Sequence, residues 1–243
     1  MCYPRPTIEL ASERIKELRK LGVKTLSFEG KTKIGSNELL GKGCVGIAVK
    51  ASTSEGIFAL KIRRRDANRE SMKHEATMQK LANNLGVGPK FYKKSDNFIL
   101  MEVVEGCEIP EWIRKLKGVG SKSSLRSIIK EVLDQCLRLD NGGIDHGELS
   151  NLKKHIIVGE KVSIIDFESS ATHRRMKNLT SAAQYLFIGG SVANKVRRML
   201  GIKSMGNALN SLRRYKYAMD CSYSDSSKRE SYQILLMELK LDV

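Results

Sequence analysis

The sequence contains little proline and few cysteines, and each shortage excludes a class of protein. Four of the 243 residues are proline and 20 are glycine, so the chain is neither collagen-like nor of low complexity. The five cysteines form no CxxC pair, which argues against a disulfide framework or a zinc cluster and indicates a reducing compartment. No apolar run approaches the length of about 18 residues that a membrane-spanning helix needs. The first residues lack the apolar stretch of a secretory signal. We therefore expect a cytoplasmic globular protein.

Acidic residues are scarce as well, and their distribution is uneven. Lys and Arg number 43 against 27 Asp and Glu, a net charge of +16 that attracts polyanions. No acidic residue occurs between Glu168 and Asp220, whereas ten Lys and Arg do. Solvated surfaces normally mix both signs, so this segment predicts a polyanion-binding surface. The candidate RNA-binding residues are Arg174, Arg175, Lys177, Lys195, Arg197, Arg198, Arg213, Arg214 and Lys216.

Two parts of this basic segment carry more detail. In the helix expected from Ser191, an apolar stripe of Val192, Val196 and Met199 leaves cations on another face. The run 213–217, Arg-Arg-Tyr-Lys-Tyr, interleaves cations with aromatic rings. Cations can contact phosphates and aromatic rings can stack on bases, so the run indicates RNA binding.

Apolar periodicity predicts an α+β protein with two lobes. The first lobe, residues 1–105, is strand-rich, and the second, residues 106–243, is largely helical. Strands are expected at Val23–Phe28, Val45–Ala51, Ile57–Ile62, Phe98–Val104, Ile156–Val158 and Val162–Phe167. Helices are expected at 8–21, 66–85 and 125–137, the last of which is stopped by Asn141-Gly142-Gly143, and from Ser170 to the end.

A glycine-rich motif, GKGCVG, occupies residues 41–46. By itself GxGxxG is a weak signal, because both dinucleotide-binding folds and kinases use it. A dinucleotide fold needs a helix after the motif, and here an apolar hairpin follows, although Asp66 lies at a suitable distance for the ribose contact. A glycine-rich hairpin turn without function is the third reading. As a phosphate-covering loop, the motif would contribute Gly41, Lys42, Gly43 and Gly46.

The strand after this loop ends in Phe58-Ala59-Leu60-Lys61, which resembles the V-A-I-K strand of protein kinases. In that arrangement a helix glutamate holds the lysine against the α- and β-phosphates of ATP. Glu75 is the preferred partner of Lys61 and Glu70 competes with it. Further on, 98–106 resembles a kinase hinge, whose main chain binds adenine; this implies Met101, Glu102 and Val104 as ATP-binding residues. A plain core strand explains the same run.

Two further motifs, Asp145-His146-Gly147-Glu148-Leu149 and Ile164-Ile165-Asp166-Phe167-Glu168, resemble the catalytic loop and the metal-binding strand of small kinases. Phosphoryl transfer needs one carboxylate to orient the attacking hydroxyl and another to hold Mg²⁺. Glu148 and Asp166 are the candidates, and Lys61 completes the catalytic set. His146 is expected to brace the loop backbone.

The chain departs from the kinase pattern at two places. The usual catalytic Asp is Glu148, one methylene longer. The second-metal Asn is missing; alignment on the following apolar strand puts His155 in its place, while Asn151 and Lys153 remain alternatives. Asp166 and His155 are therefore the candidate metal ligands.

Taken together, HGELS, KHIIV and IIDFES resemble an archaeal group described as predicted serine/threonine kinases, related to RIO-type kinases. That group includes an RNA kinase that phosphorylates the 2′-hydroxyl of a tRNA uridine. The resemblance implies a bilobal protein-kinase-like fold, ATP and Mg²⁺ as cofactors, and tRNA as the partner, with no membrane and no obligate protein partner. The alternatives are a serine/threonine protein kinase or autokinase, and a pseudokinase that binds RNA without transferring phosphate.

Overall fold

The computed structural model describes residues 2–220 and 225–242. The chain forms two compact units, divided between Val104 and Glu105. The short segment Leu85–Val87 belongs to the second unit. The first unit is rich in strands and the second in helices, so the predicted α+β class is confirmed. Within the described residues, no helix has both the length and the apolar character needed to cross a membrane.

The first unit is built on an antiparallel sheet. Its strands follow the order β1-β5-β6-β8-β7, with β4 paired to β5, and β2 and β3 form a separate hairpin. The elements are α1 (Ile8–Lys20), β1 (Thr25–Ser27), β2 (Thr32–Ile34), β3 (Asn37–Leu39), β4 (Gly41–Lys42), β5 (Gly46–Ser52), β6 (Ile57–Arg63), α2 (Lys73–Asn84), β7 (Phe91–Lys94) and β8 (Phe98–Met101).

The core of this unit is built from the apolar residues of its central strands. Val49, Leu60 and Phe98 come from the central strands and are fully buried in one cluster. Leu18 of α1 and Leu21, directly after that helix, belong to the same cluster. Apolar side chains on one face of a strand recur at every second residue, so three adjacent strands stack their apolar faces into one layer.

The predicted helix 66–85 begins later than expected, at Lys73. The residues before it make tertiary hydrogen bonds instead of helical ones. Met72 N donates to Asp96 O at 2.9 Å, and Arg63 Nη1 donates to Arg69 O at 3.0 Å. These bonds hold the segment against the end of β6 and the turn between β7 and β8. Tertiary contacts thus override the helical propensity of residues 66–72.

The second unit is organised around one long helix. Its elements are β9 (Cys107–Glu108), α3 (Ile109–Lys115), α4 (Ser121–Asn141), β10 (Ile156–Val158), β11 (Val162–Ile164), α5 (Asn178–Phe187), α6 (Gly190–Leu200), α7 (Gly206–Asp220) and α8 (Asp225–Glu238). The helix α4 buries Leu125, Ile129 and Val132 completely, and it ends at the predicted Asn-Gly-Gly stop. The strands β9, β10 and β11 form a small antiparallel sheet.

Two expectations for this unit were wrong in detail. Residues 170–177 are not helical and connect the DFE motif to α5. The buried stripe of α6 is Ala193, Val196 and Leu200 rather than Val192, Val196 and Met199. The buried face of α6 differs from the predicted one because the small side chain of Ala193 packs against the core. Close packing as well as apolar character therefore decides which face of the helix is buried.

Candidate active site

The glycine-rich motif forms a tight hairpin between β4 and β5. Gly43 N donates to Gly46 O at 2.8 Å, and Gly41 is paired with Ala48. The motif leads into a strand, so the dinucleotide-fold alternative is excluded. A Cβ on Gly46 would lie 3.0 Å from the Cγ and Cε of Lys61, so glycine there leaves room for the lysine side chain.

Two residues that sequence reasoning missed brace this hairpin. Arg64 Nη1 donates to Gly43 O at 2.9 Å, and Arg64 N donates to Val45 O at 2.8 Å. Lys42 Nζ donates to the Tyr3 hydroxyl at 3.1 Å and lies 5.2 Å from the ring centroid. A lysine ammonium next to an aromatic ring is a favourable contact. Because Tyr3 and Lys42 are far apart in the sequence, no local pattern could predict that they meet.

Lys61 and Glu75 form a buried ion pair. Lys61 Nζ donates to Glu75 Oε1 at 2.7 Å, from β6 to the first turn of α2. Glu70, the competing candidate, is exposed in the segment before the helix. The structure therefore pairs Lys61 with the preferred glutamate, and both side chains are shielded from solvent.

The proposed hinge strand is shorter than predicted. Phe98, Ile99 and Leu100 are buried in β8, which ends at Met101. Glu102 leaves the strand but still donates its N–H to Lys90 O at 2.9 Å. Met101, Glu102 and Val104 are all half-buried, so the three candidate adenine contacts lie at the edge of the first unit's core.

In the second unit the HGE loop is held by main-chain hydrogen bonds to Ala171 and by the side chain of His146. Asp145 and Ala171 exchange both main-chain hydrogen bonds at 2.9 Å. The His146 ring is fully buried, and its Nε2 lies 3.1 Å from Ile165 O, so it braces the loop as expected. Gly147 has φ +88°, and a Cβ there would lie 2.7 Å from Ser169 O, so only glycine fits.

Arg174 contacts this loop as well. Its Nε lies 3.1 Å from Oδ2 of the buried Asp145, an ion pair without hydrogen-bond alignment. Its Nη2 donates to Ser169 O. The charge pattern placed Arg174 in the RNA-binding set, but its guanidinium contacts the loop that carries Glu148, and 40% of the side chain remains exposed.

Glu148, His155 and Asp166 bring one possible metal-ligand atom each to a single cluster, in which these atoms all lie within 4.8 Å of one another. His155 Nε2 is 3.9 Å from Glu148 Oε2. Glu148 Oε2 and His155 Nδ1 are buried without a hydrogen-bond partner among the described residues. Of the three candidates for the missing Asn, His155 lies in this cluster, whereas Asn151 and Lys153 are exposed.

Asp166 has a strained backbone, with φ 72° and ψ 74°. For a residue other than glycine this left-handed conformation costs about 1–3 kcal/mol and is concentrated at functional sites. The turn ends β11 at Ile164, three residues earlier than predicted. Two carboxylates and an imidazole form an oxygen–nitrogen donor set, and carboxylate oxygens are the ligands that Mg²⁺ or Mn²⁺ prefers.

The basic segment exposes most of its cations. Seven of the nine candidate RNA-binding residues are exposed, and Lys195 and Arg197 are half-buried. Lys195 donates to Arg114 O at 3.0 Å. The two tyrosines of α7 separate: Tyr215 is 1% exposed and Tyr217 is 60% exposed. The expectation that both rings are available for base stacking is therefore wrong for Tyr215, which belongs to the core.

Comparison with known proteins identifies the family. The chain is 32% identical over 102 residues to the uncharacterized protein MJ1211 of Methanocaldococcus jannaschii, a match that covers 42% of this chain and 84% of the relative. A family model of the RIO domain matches residues 50–182, a range that contains Lys61, Glu75 and both carboxylate motifs. RIO domains are atypical kinases, which use ATP as the phosphoryl donor. The chain therefore belongs to the RIO domain family and is an ATP-dependent phosphotransferase of the atypical kinase class.

Proposed function

We propose that this kinase transfers the γ-phosphoryl group of ATP to a ribose 2′-hydroxyl of a tRNA uridine. The choice of RNA as acceptor rests on the positive charge of the segment between Glu168 and Asp220. No acidic residue lies between these two, and the Lys and Arg side chains of the segment are largely exposed. Nucleic acid binding depends on such neutralisation of phosphates by Lys and Arg. The resemblance of HGELS and IIDFES to RNA kinase sequences supports tRNA in particular.

The donor would be held by the first unit. Gly41, Gly43 and Gly46 would cover the phosphates with the backbone of the hairpin, where Lys42 adds a positive charge. Lys61, held by Glu75, would neutralise the α- and β-phosphates. Backbone groups near the end of β8 would bind the adenine edge, next to Met101, Glu102 and Val104.

Chemistry would fall to the second unit. Asp166 and His155, with Glu148 beside them, would hold Mg²⁺, which neutralises charge on the phosphates. Glu148 would orient the 2′-hydroxyl and accept its proton as the oxygen bonds to the γ-phosphorus. The bond from that phosphorus to the bridging oxygen breaks, and ADP leaves. The exposed cations of α6 and α7 would bind the phosphates of the tRNA backbone.

A second acceptor, a serine or threonine hydroxyl of a protein, is favoured by the RIO domain match itself. The discriminating experiment incubates the protein with γ-labelled ATP and Mg²⁺, with either unfractionated tRNA or myelin basic protein. Nuclease digestion and mass spectrometry of the tRNA would reveal a 2′-phosphate. Label on tRNA supports the proposal, whereas label on protein alone overturns it.

Variants connect the activity to the named residues. Lys61→Ala and Asp166→Ala are expected to abolish transfer while tRNA binding persists. Lys50→Ala is the matched control, because Lys50 lies on the adjacent strand β5 and pairs with exposed Glu29 at 3.0 Å. Wild-type transfer in Lys61→Ala or Asp166→Ala would contradict the assignment of the site.

A further inference from the structure

A buried carboxylate at the end of α4 gathers four hydrogen bonds. Asp140 is 2% exposed. Its Oδ1 accepts from Asn178 N at 3.0 Å and Asn178 Nδ2 at 2.7 Å. Its Oδ2 accepts from Leu179 N at 3.1 Å and from the Tyr215 hydroxyl at 2.9 Å. The carboxylate thus joins α4 to the first turn of α5, where a negative charge is favourable, and to the middle of α7.

Asn178 continues this network into the HGE loop. Its Oδ1 accepts from His146 N at 2.8 Å, and its Nδ2 also donates to Ile144 O at 2.7 Å. The two contacts enclose Asp145 and end two residues before Glu148. A change in the position of Asn178 therefore moves the backbone that carries the candidate catalytic carboxylate.

Tyr215 connects the same network to the basic helix. Its neighbours Arg213, Arg214, Lys216 and Tyr217 are exposed, whereas its ring is buried and its hydroxyl reaches Asp140. A phenylalanine would fill the same apolar space, so the hydroxyl is present for its hydrogen bond. The helix α7 thus exposes cations and also makes, through Tyr215, a buried hydrogen bond to Asp140, from which the network reaches the HGE loop through Asn178.

We propose that Tyr215, Asp140 and Asn178 are positioning residues. They fix the position of Glu148 relative to an acceptor that is bound by the exposed cations of α7. The identity of the acceptor rests on the proposed function, but the positioning of Glu148 does not. The chain Tyr215–Asp140–Asn178–His146 is continuous, with each link between 2.7 and 3.0 Å. Displacements of about 1 Å in a catalytic group can cost as much as a hundredfold in rate.

The test compares two tyrosines that contact α4. Tyr215→Phe removes one hydroxyl from the network. Tyr232→Phe is the matched control, because Tyr232 is also buried and donates to Asp134, on the same helix but outside the network. We expect Tyr215→Phe to lower kcat about tenfold with KM for ATP and tRNA within twofold. Tyr232→Phe should retain wild-type kcat at temperatures well below unfolding.

A second readout does not depend on the acceptor. Amide hydrogen exchange of the peptide covering 144–150 should accelerate in Tyr215→Phe and stay unchanged in Tyr232→Phe. If the wild type labels myelin basic protein rather than tRNA, the proposed acceptor is wrong, and the same kcat comparison is made with that substrate. Equal kcat and equal exchange in the two variants would overturn the positioning role.

Discussion

Lys61 Nζ and Glu75 Oε1 lie 2.7 Å apart, and the side chains are only 9% and 4% exposed. Such a pair is weak evidence for stability, since an apolar pair of similar volume often serves as well. Its value lies in placing a lysine charge at a defined point on β6. A buried cation of this kind is suited to an anionic ligand, and under the proposed function that ligand would be the triphosphate of ATP.

The first prediction separates the stability of this pair from its function. Lys61→Met and Glu75→Leu alone should each destabilise the protein by about 3 kcal/mol, because each removes the 2.7 Å ion-pair partner of a buried charge. The double variant should regain most of that stability and remain inactive. Urea unfolding and ATP turnover measure the two effects. An active double variant would show that the pair is structural only.

The second prediction concerns the metal cluster. His155→Ala removes an unsatisfied buried nitrogen next to Glu148 and Asp166, so Mn²⁺ should bind at least tenfold more weakly in the presence of ATP. His155→Asn keeps a possible ligand atom and should retain part of the affinity. The matched control is His173→Ala, because His173 is exposed. Titration followed by electron paramagnetic resonance gives the affinity, and equal values for His155→Ala and His173→Ala would refute the ligand assignment.

The third prediction is a pH dependence that originates at Asp140. Burial raises the pKa of this carboxyl from 3.8 to about 6, although the hydrogen bonds from Leu179, Tyr215 and Asn178 oppose the shift. Between pH 3.8 and about 6, the folded state therefore holds a proton that the unfolded state has lost. Its contribution to stability is complete below pH 3.8 and is lost as the pH rises through 6.

Comparison with Asp140→Asn isolates this contribution. From pH 4 to pH 7 the wild type should lose about 2–3 kcal/mol of unfolding free energy relative to the variant, since one pKa unit corresponds to about 1.4 kcal/mol. Urea unfolding at the two pH values gives the difference. A constant difference between wild type and variant would contradict the raised pKa.

The fourth prediction concerns the exposed face of α7. Arg213→Gln with Arg214→Gln should weaken tRNA binding and reduce the slope of log affinity against log salt by about two, one for each lost phosphate contact. ATP affinity should not change. Lys93→Gln with Lys94→Gln removes the same charge from β7 and serves as the control. Identical salt slopes for the two double variants would exclude α7 from the RNA-binding surface.

Local sequence pattern was sufficient to predict features that depend on a single strand or helix. β-Branched and small apolar residues predicted β5, alternation predicted β6, and periodicity predicted the buried face of α4 together with its glycine stop. The order of the motifs indicated which residues carry the chemistry. It also favoured Glu75 over Glu70, because the spacing from Glu75 to Leu85-Gly86-Val87 is similar to that of small atypical kinases.

Pattern failed where residues distant in sequence compete for the same backbone or the same space. The start of α2 depends on a hydrogen bond from Met72 to Asp96, and no local window contains both residues. Tyr215 and Tyr217 look alike in sequence. The position of Asp140, 75 residues away from Tyr215, makes one a core residue and leaves the other in solvent.

The amino-acid sequence by itself determined the α+β class, the concentration of positive charge after Glu168 and the identity of the phosphotransfer motifs, because these depend on residue type and short spacing. Only the tertiary structure decided that His155 joins Glu148 and Asp166, that Arg174 is committed to Asp145, and that α7 is linked to the HGE loop. Those relationships depend on which side chains share a buried volume, and burial is settled by the packing of the whole unit.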